Sequence, residues 1–189
     1  MRYAPEHNDA TRERILEAAS RLFREHGIAA VGLAKIMAEA DLTVGTFYTH
    51  FKSKEALVRE SLLRALDQRH EALEQTLKGA DLEAVVRAYL SPEHRDTAGT
   101  GCPVASLASE VARHPRATRS AFTSHNAQTL EAVASWLSSR GGNEVTRADA
   151  AALLGLLAGT LQIARATPDR AESDAMLEAG VRAAIRLAR

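Results

Sequence analysis

The segment Leu33–Phe51, LAKIMAEADLTVGTFYTHF, constrains the fold of this chain more than any other stretch. Leu33, Ile36, Met37 and Ala40 recur at helical spacing. Asp41 breaks that pattern, Leu42 is placed to plug a turn, and Thr43 is a natural N-cap for a second helix over 44–50. The second helix is a short rod carrying Thr, Val, Tyr and His, poorly suited to building a core. Two short helices hinged by a tight turn form a helix-turn-helix, and such a motif lays its second helix in the DNA major groove.

The remainder also reads as helix. Asp9 or Thr11 is placed to cap a first helix with the stripe Ile15, Leu16, Ala18, Ala19, Leu22 and Phe23, which Gly27 ends. Ser53 heads a long helix from Lys54 through Leu57, Val58, Leu62, Leu66 and Leu73 to about Lys78. Helices near 82–90 and 103–114 flank a loop, Ser91–Gly101, rich in Pro, Gly and small polar residues. A helix over 116–140 is closed by Gly141–Gly142–Asn143, Thr146 caps another to about Ala166, and Pro168–Asp169 starts a last one to about Leu187. No period-two alternation is long enough for a strand. The expectation is an all-α protein with a helix-turn-helix DNA-binding domain over residues 1–53 and a helical ligand-binding and dimerisation domain over 54–189.

Charge does not advertise a nucleic-acid partner. The chain of 189 residues balances 24 basic against 24 acidic side chains, and residues 1–60 hold nine of each. A DNA reading therefore rests on arrangement. The single cysteine excludes an internal disulfide and fits a reducing cytoplasm. No apolar run reaches the length of a membrane span, and MRYAPEHND lacks the apolar core of a signal peptide.

The runs TRERILEAASRLFREHG and IMAEADLTVGTFYTHFKSKEAL, within residues 11–62, closely resemble the N-terminal domain of the TetR/AcrR family of bacterial repressors. The resemblance rests on the Leu22–Phe23 pair, Gly27, Ile36, Thr43, Gly45, Tyr48, Phe51, Lys54 and Leu57 at family spacing. It implies a homodimer whose second domain binds a small effector and loosens the grip on operator DNA, with no cofactor. It also implies that Thr43, Val44 and Thr46 face base edges, and that Tyr48, His50 and Lys54 face phosphates. Lys54 would stand at a helix N-terminus, where free N–H groups favour an anion. Lys35, Arg2 and Arg12 are further candidates for phosphate contact. The recognition helix has no Arg, Asn or Gln for bidentate base contacts, so specificity falls to thymine methyls, Thr hydroxyls and DNA shape. Two positions depart from the family pattern: Asp41 stands where the turn usually has Gly, and Gly32 where the preceding helix usually opens on Ser or Thr.

The stretch GCPVASLASEVARH resembles a subset of the family, some of whose members sense electrophiles or oxidants through a nearby cysteine. Cys102 lies where a loop becomes a helix, a position that favours thiolates, yet cysteine is equally at home as a small buried hydrophobe. The resemblance implies an effector pocket among the middle helices, with Cys102, Leu107, Phe122, His125, Gln128, Thr129 and Gln162 as candidate lining. Glu110 and His114 are spaced to pair on one helix face, and no further ligands beside them suggest a metal. Small residues on the last two helices, Gly155, Gly159 and Gly180 among them, permit either a four-helix dimer interface or close packing within one subunit.

Two other classes of function bear on this sequence. A thiol-dependent enzyme would pair Cys102 with His94, His114 or His125, but serine-nucleophile, P-loop and dinucleotide signatures are absent. A helical adaptor that has lost DNA binding fits the neutral N-terminal charge.

Overall fold

The computed structural model describes residues 5–141 and 144–188, so Arg2, Gly142 and Asn143 lie outside the described residues. In order, the helices are α1 (Pro5–His26), α2 (Leu33–Glu39), α3 (Val44–His50), α4 (Lys54–Leu77), α5 (Leu82–Tyr89) and α6 (Pro92–Asp96). A short 3-10 turn (Ala98–Thr100) precedes α7 (Pro103–Val111), α8 (Arg116–Gly141), α9 (Arg147–Ala166) and α10 (Arg170–Leu187). Among the described residues there is no strand.

The first hydrophobic cluster joins the apolar stripe of α1 to Ile36 and Met37 of α2, Phe47 of α3 and Phe51. It continues into Leu57, Val58, Leu62 and Leu66 of α4 and takes in Leu107 and Val111 of α7. The second lies among α5, α7, α8, α9 and α10, around Leu161, Leu177 and Val181. The helix-turn-helix therefore stands on a foundation that reaches past residue 53 into α4 and α7.

Local chemistry explains most boundaries. Gly27 ends α1 at φ 84°, in the left-handed region that glycine enters without cost. Asp41 takes the same region at φ 53° in the turn between α2 and α3, held by Leu42 N–H donating to Met37 O at 2.8 Å. Ser53 caps α4 by accepting from Ala56 N–H, and Thr146 with Asp149 forms a reciprocal capping box on α9.

Four expectations need correction. Helix α1 is already under way at Pro5, so Asp9 and Thr11 lie inside it and do not cap it. Thr43 occupies the N-cap position of α3, but its hydroxyl bonds the Thr46 hydroxyl at 3.1 Å and no backbone N–H. The expected loop Ser91–Gly101 is folded into α6 and the 3-10 turn, because Ser91 accepts from His94 N–H and Pro92 fits the first helical position. Helix α7 stops at Val111, which puts His114 beyond its end and out of register with Glu110. The two turn to different partners: His114 Nδ1 meets Glu55 Oε2 at 2.9 Å, and Glu110 accepts from Ile28 and Ala29.

Candidate functional site

Helix α3 buries one side chain, Phe47, which stacks on Phe51 with ring centroids 5.7 Å apart. Everything else on α3 is available to a partner. Thr43, Val44 and Tyr48 are exposed, Tyr48 at 67%, while Thr46 and His50 are half-buried. Lys35 is exposed on α2. Two candidates are otherwise engaged in the protomer: Lys54 Nζ donates to Ile28 O at 2.9 Å, and Arg12 pairs with Glu60 while lying 4.9 Å over the Phe51 ring. Burial first, then the charge of Arg12, pushes the His50 pKa down, so the ring is neutral at physiological pH. Lys52, exposed just after α3, is a cation that periodicity alone did not single out.

A cavity of about 70 Å³ lies between α4, α5, α8 and α9. Leucines and valines line it, with Trp136, Tyr89, Arg69, Asn126, Thr129 and Cys102. Of the seven expected lining residues, Cys102 and Thr129 are there. The other five are elsewhere. Leu107 and Phe122 pack into the first cluster, and Gln128 is exposed. Gln162 donates to Ala105 O, and His125 bonds Ala121 O and faces Asp67. Each of these sits on the right helix but the wrong side of it, which apolar spacing does not resolve.

Cys102 is 3% exposed and caps α7. Its backbone N–H donates to His94 Nε2 at 3.0 Å, and His94 Nδ1 lies 2.7 Å from Tyr89 O. His94 is thus the neutral Nδ1–H tautomer, with both ring nitrogens committed to backbone and none left to serve the thiol as a base. Gly101 makes this approach possible, since a Cβ there would stand 2.8 Å from the His94 ring.

From Cys102, α7 runs back to the DNA-binding half. At its far end the Glu110 carboxylate accepts from Ile28 N–H (3.1 Å) and Ala29 N–H (3.0 Å), in the turn between α1 and α2. At its near end Arg24 of α1 donates to Gly101 O. One short helix therefore touches the cavity and the base of the helix-turn-helix.

Residues 15–61 match the family of bacterial regulatory proteins, tetR family. The chain is 37% identical over 81 residues to the transcriptional regulator TtgR of Pseudomonas putida, covering 43% of this chain and 38% of that one. It is 27% identical to a solved TetR-family transcriptional regulator from Streptomyces coelicolor, with a TM-score of 0.70 over 94% of this chain and 95% of that one. Residues 15–61 thus match the N-terminal domain of the TetR/AcrR family, and the chain as a whole resembles a solved member of it. The reduced form of Escherichia coli NemR shares the fold at a TM-score of 0.74 and 23% identity, over 94% of this chain and 96% of that one. The alignments span only 30% to 54% of the curated relatives TtgR, YerO of Bacillus subtilis and UidR of Escherichia coli. The family's helix-turn-helix thus corresponds to α2 and α3. Among the described residues no helix is long and apolar enough to cross a membrane.

The half-buried His94 makes a pH prediction. Burial lowers its pKa, and the charges of Arg165 and Arg69 add to that, against the opposing bond to Tyr89 O. The unfolded chain then takes up the proton first as pH falls below about 6.5. Stability supplied by neutral His94 is complete above that pH and is lost toward its lower folded pKa. The melting temperature is expected to fall between pH 7.5 and 5.5 more steeply in the wild type than in His94→Gln. Parallel profiles would rule this contribution out.

Proposed function

We propose that the chain is a homodimeric repressor whose paired α3 helices read a near-palindromic operator, and that a small ligand in the cavity releases it. The observation that carries this reading is the division of α3: Phe47 anchors it, and Thr43, Val44, Thr46 and Tyr48 are left for DNA. In a dimer the two α3 helices must stand roughly 34–36 Å apart to enter successive turns of the groove. Base edges fall to Thr43, Val44 and Thr46, and phosphates to Tyr48, Lys35 and Lys52. Lys54 joins them on release of the Ile28 carbonyl.

Release follows from α7. A ligand that displaces Cys102 or Val104 at the cavity moves a rod about 13 Å long, whose other end is clamped to Ile28 and Ala29 through Glu110. The ligand must bind the DNA-incompetent spacing more tightly; coupling of about 1–3 kcal/mol changes operator affinity roughly 5- to 150-fold. Operator DNA must weaken ligand binding by the same factor. Because Cys102 is buried between the cavity and an outer cleft, an electrophile reaches the thiol only by entering one of these spaces.

Fluorescence anisotropy with the upstream DNA, before and after alkylation with N-ethylmaleimide, tests the reading. Tight, salt-sensitive, sequence-selective binding is expected. Failure to select any sequence from genomic fragments would favour the adaptor reading.

The Glu110 clamp has its own test. Glu110→Ala leaves the Ile28 and Ala29 amides without their carboxylate, at a cost of about 1.5–3 kcal/mol. Hydrogen exchange at these two amides is expected to accelerate while α4 keeps its protection. Unchanged exchange would show that the clamp does not hold the turn.

A further inference from the structure

The cavity is dressed for a particular kind of molecule. Its inner part is walled by side chains such as Leu73, Val86, Trp136 and Leu157, and has room for only a few heavy atoms. An outer cleft of about 170 Å³ shares Arg69, Tyr89 and Cys102 with it and adds Thr76, Thr100 and His94. No Asp or Glu lines either space.

Two groups at the junction lack a strong partner. Tyr89 is 6% exposed, and its buried hydroxyl has the weakly accepting Cys102 sulfur beside it but no nitrogen or oxygen partner. Arg69 is half-buried, and among the described residues its guanidinium meets no carboxylate; its one contact is the Tyr89 ring, 5.7 Å from the ring centroid. Arg21, Arg87, Arg95, Arg147 and Arg170, by contrast, each pair with an acid. Arg165 adds a second positive charge felt by Tyr89. A cation would find no counter-ion here. A pure hydrocarbon would leave Arg69 and the Tyr89 hydroxyl uncompensated. One carboxylate satisfies both, accepting from the guanidinium and from the hydroxyl.

We infer that the cavity takes a small amphiphilic monoanion, a short hydrocarbon body ending in one carboxylate held by Arg69 and Tyr89. This rests on the effector-release reading and names the effector's chemistry. The body fills the inner space against Trp136, and the carboxylate stays at the junction with the outer cleft. Arg165 is committed to the backbone oxygens of His94 and Arg95, so a dianion exceeds the charge that Arg69 alone can match.

The chain's single tryptophan, Trp136, reports on the site. Hexanoate, hexan-1-ol and hexylamine are titrated into the full-length protein while Trp136 fluorescence is followed. Hexanoate is expected to give a saturable change at a concentration roughly ten- to a hundredfold below that of hexan-1-ol. Arg69→Gln, confirmed folded by circular dichroism, is expected to abolish that preference, and Tyr89→Phe to reduce it. Equal or tighter binding of the alcohol or amine, no saturable change with hexanoate, or an intact preference in Arg69→Gln would overturn the inference. Operator displacement is measured on the same samples. Hexanoate that binds with the expected preference but leaves DNA bound supports the site's chemistry and sinks the release reading. DNA displacement by hexan-1-ol without hexanoate binding does the reverse.

Discussion

Replacing Phe47 by alanine is expected to lower the thermal transition by roughly 6–20 °C and to abolish operator binding with it. Phe47 is completely buried, stacks on Phe51 and meets Tyr48 edge-on at 5.1 Å. Removing its ring leaves a cavity under a helix of seven residues that has no other buried side chain. Large-to-small substitutions of buried aromatics cost about 3–5 kcal/mol, and α3 has no second anchor with which to offset the loss. The comparison that gives this meaning is Tyr48→Phe, one residue on. The Tyr48 hydroxyl is exposed, so its removal should change stability by less than about 0.5 kcal/mol. Losing one hydrogen bond to a phosphate should still weaken operator binding roughly tenfold or more. Calorimetry and anisotropy on the same two proteins separate folding from reading. A Tyr48→Phe protein with full operator affinity would remove Tyr48 from the proposed interface, and a Phe47→Ala protein that melts normally would deny α3 its anchor.

Much of this architecture is legible in the sequence because its helices announce themselves by spacing and punctuation. Gly27, Ser53 and Thr146 mark boundaries by local chemistry, and the structure places helix ends or caps at all three. Asp41 was readable as a left-handed turn residue for the same reason. What resisted reading depends on which neighbour a face meets. Leu107 carries the right apolar pattern for a pocket wall, yet α7 turns it into the core shared with α1 and α4. Arg69 and Tyr89 look like ordinary helix residues in sequence, and only the crossing of α4 and α5 sets one over the other. The segment 92–100 was hidden by its composition. Proline and small polar residues suggest a loop, but a proline at the first helical position behind a serine cap also begins a short helix. The Glu110 clamp had no sequence signal at all, since its donors are backbone amides some eighty residues away.

Gly159→Arg should convert the protein to a monomer and weaken operator binding by roughly 10²- to 10⁴-fold, the avidity that joining two half-site readers supplies. Ala152, Gly155 and Ile163 share an exposed face of α9 with half-buried Gly159, Ile163 at 58%. Positions 155, 159 and 163 recur every four residues and so form one stripe. A Cβ built at Gly155 or Gly159 meets nothing within 4 Å, so a side chain added at 159 sets out into open space. Gly180 on α10 is different: its Cβ would lie 2.5 Å from Thr160, which assigns that glycine to packing between α9 and α10 of one subunit. The stripe on α9 is the part of the small-residue pattern that the protomer leaves unused, and it is the proposed contact with a second copy. In a dimer the arginine would be driven, with its charge, into a face where backbones approach closely. Light scattering at micromolar concentration reads the assembly, and circular dichroism confirms that the helices persist. Gly159→Ala adds only a methyl group and should remain dimeric, which guards against a variant that fails for reasons of folding alone. A Gly159→Arg protein that stays dimeric with full operator affinity would move the interface off this face of α9. A monomer that still binds the operator at wild-type strength would instead break the link between dimerisation and two-site reading, and with it the argument that ligand-driven spacing of the α3 helices is what releases DNA.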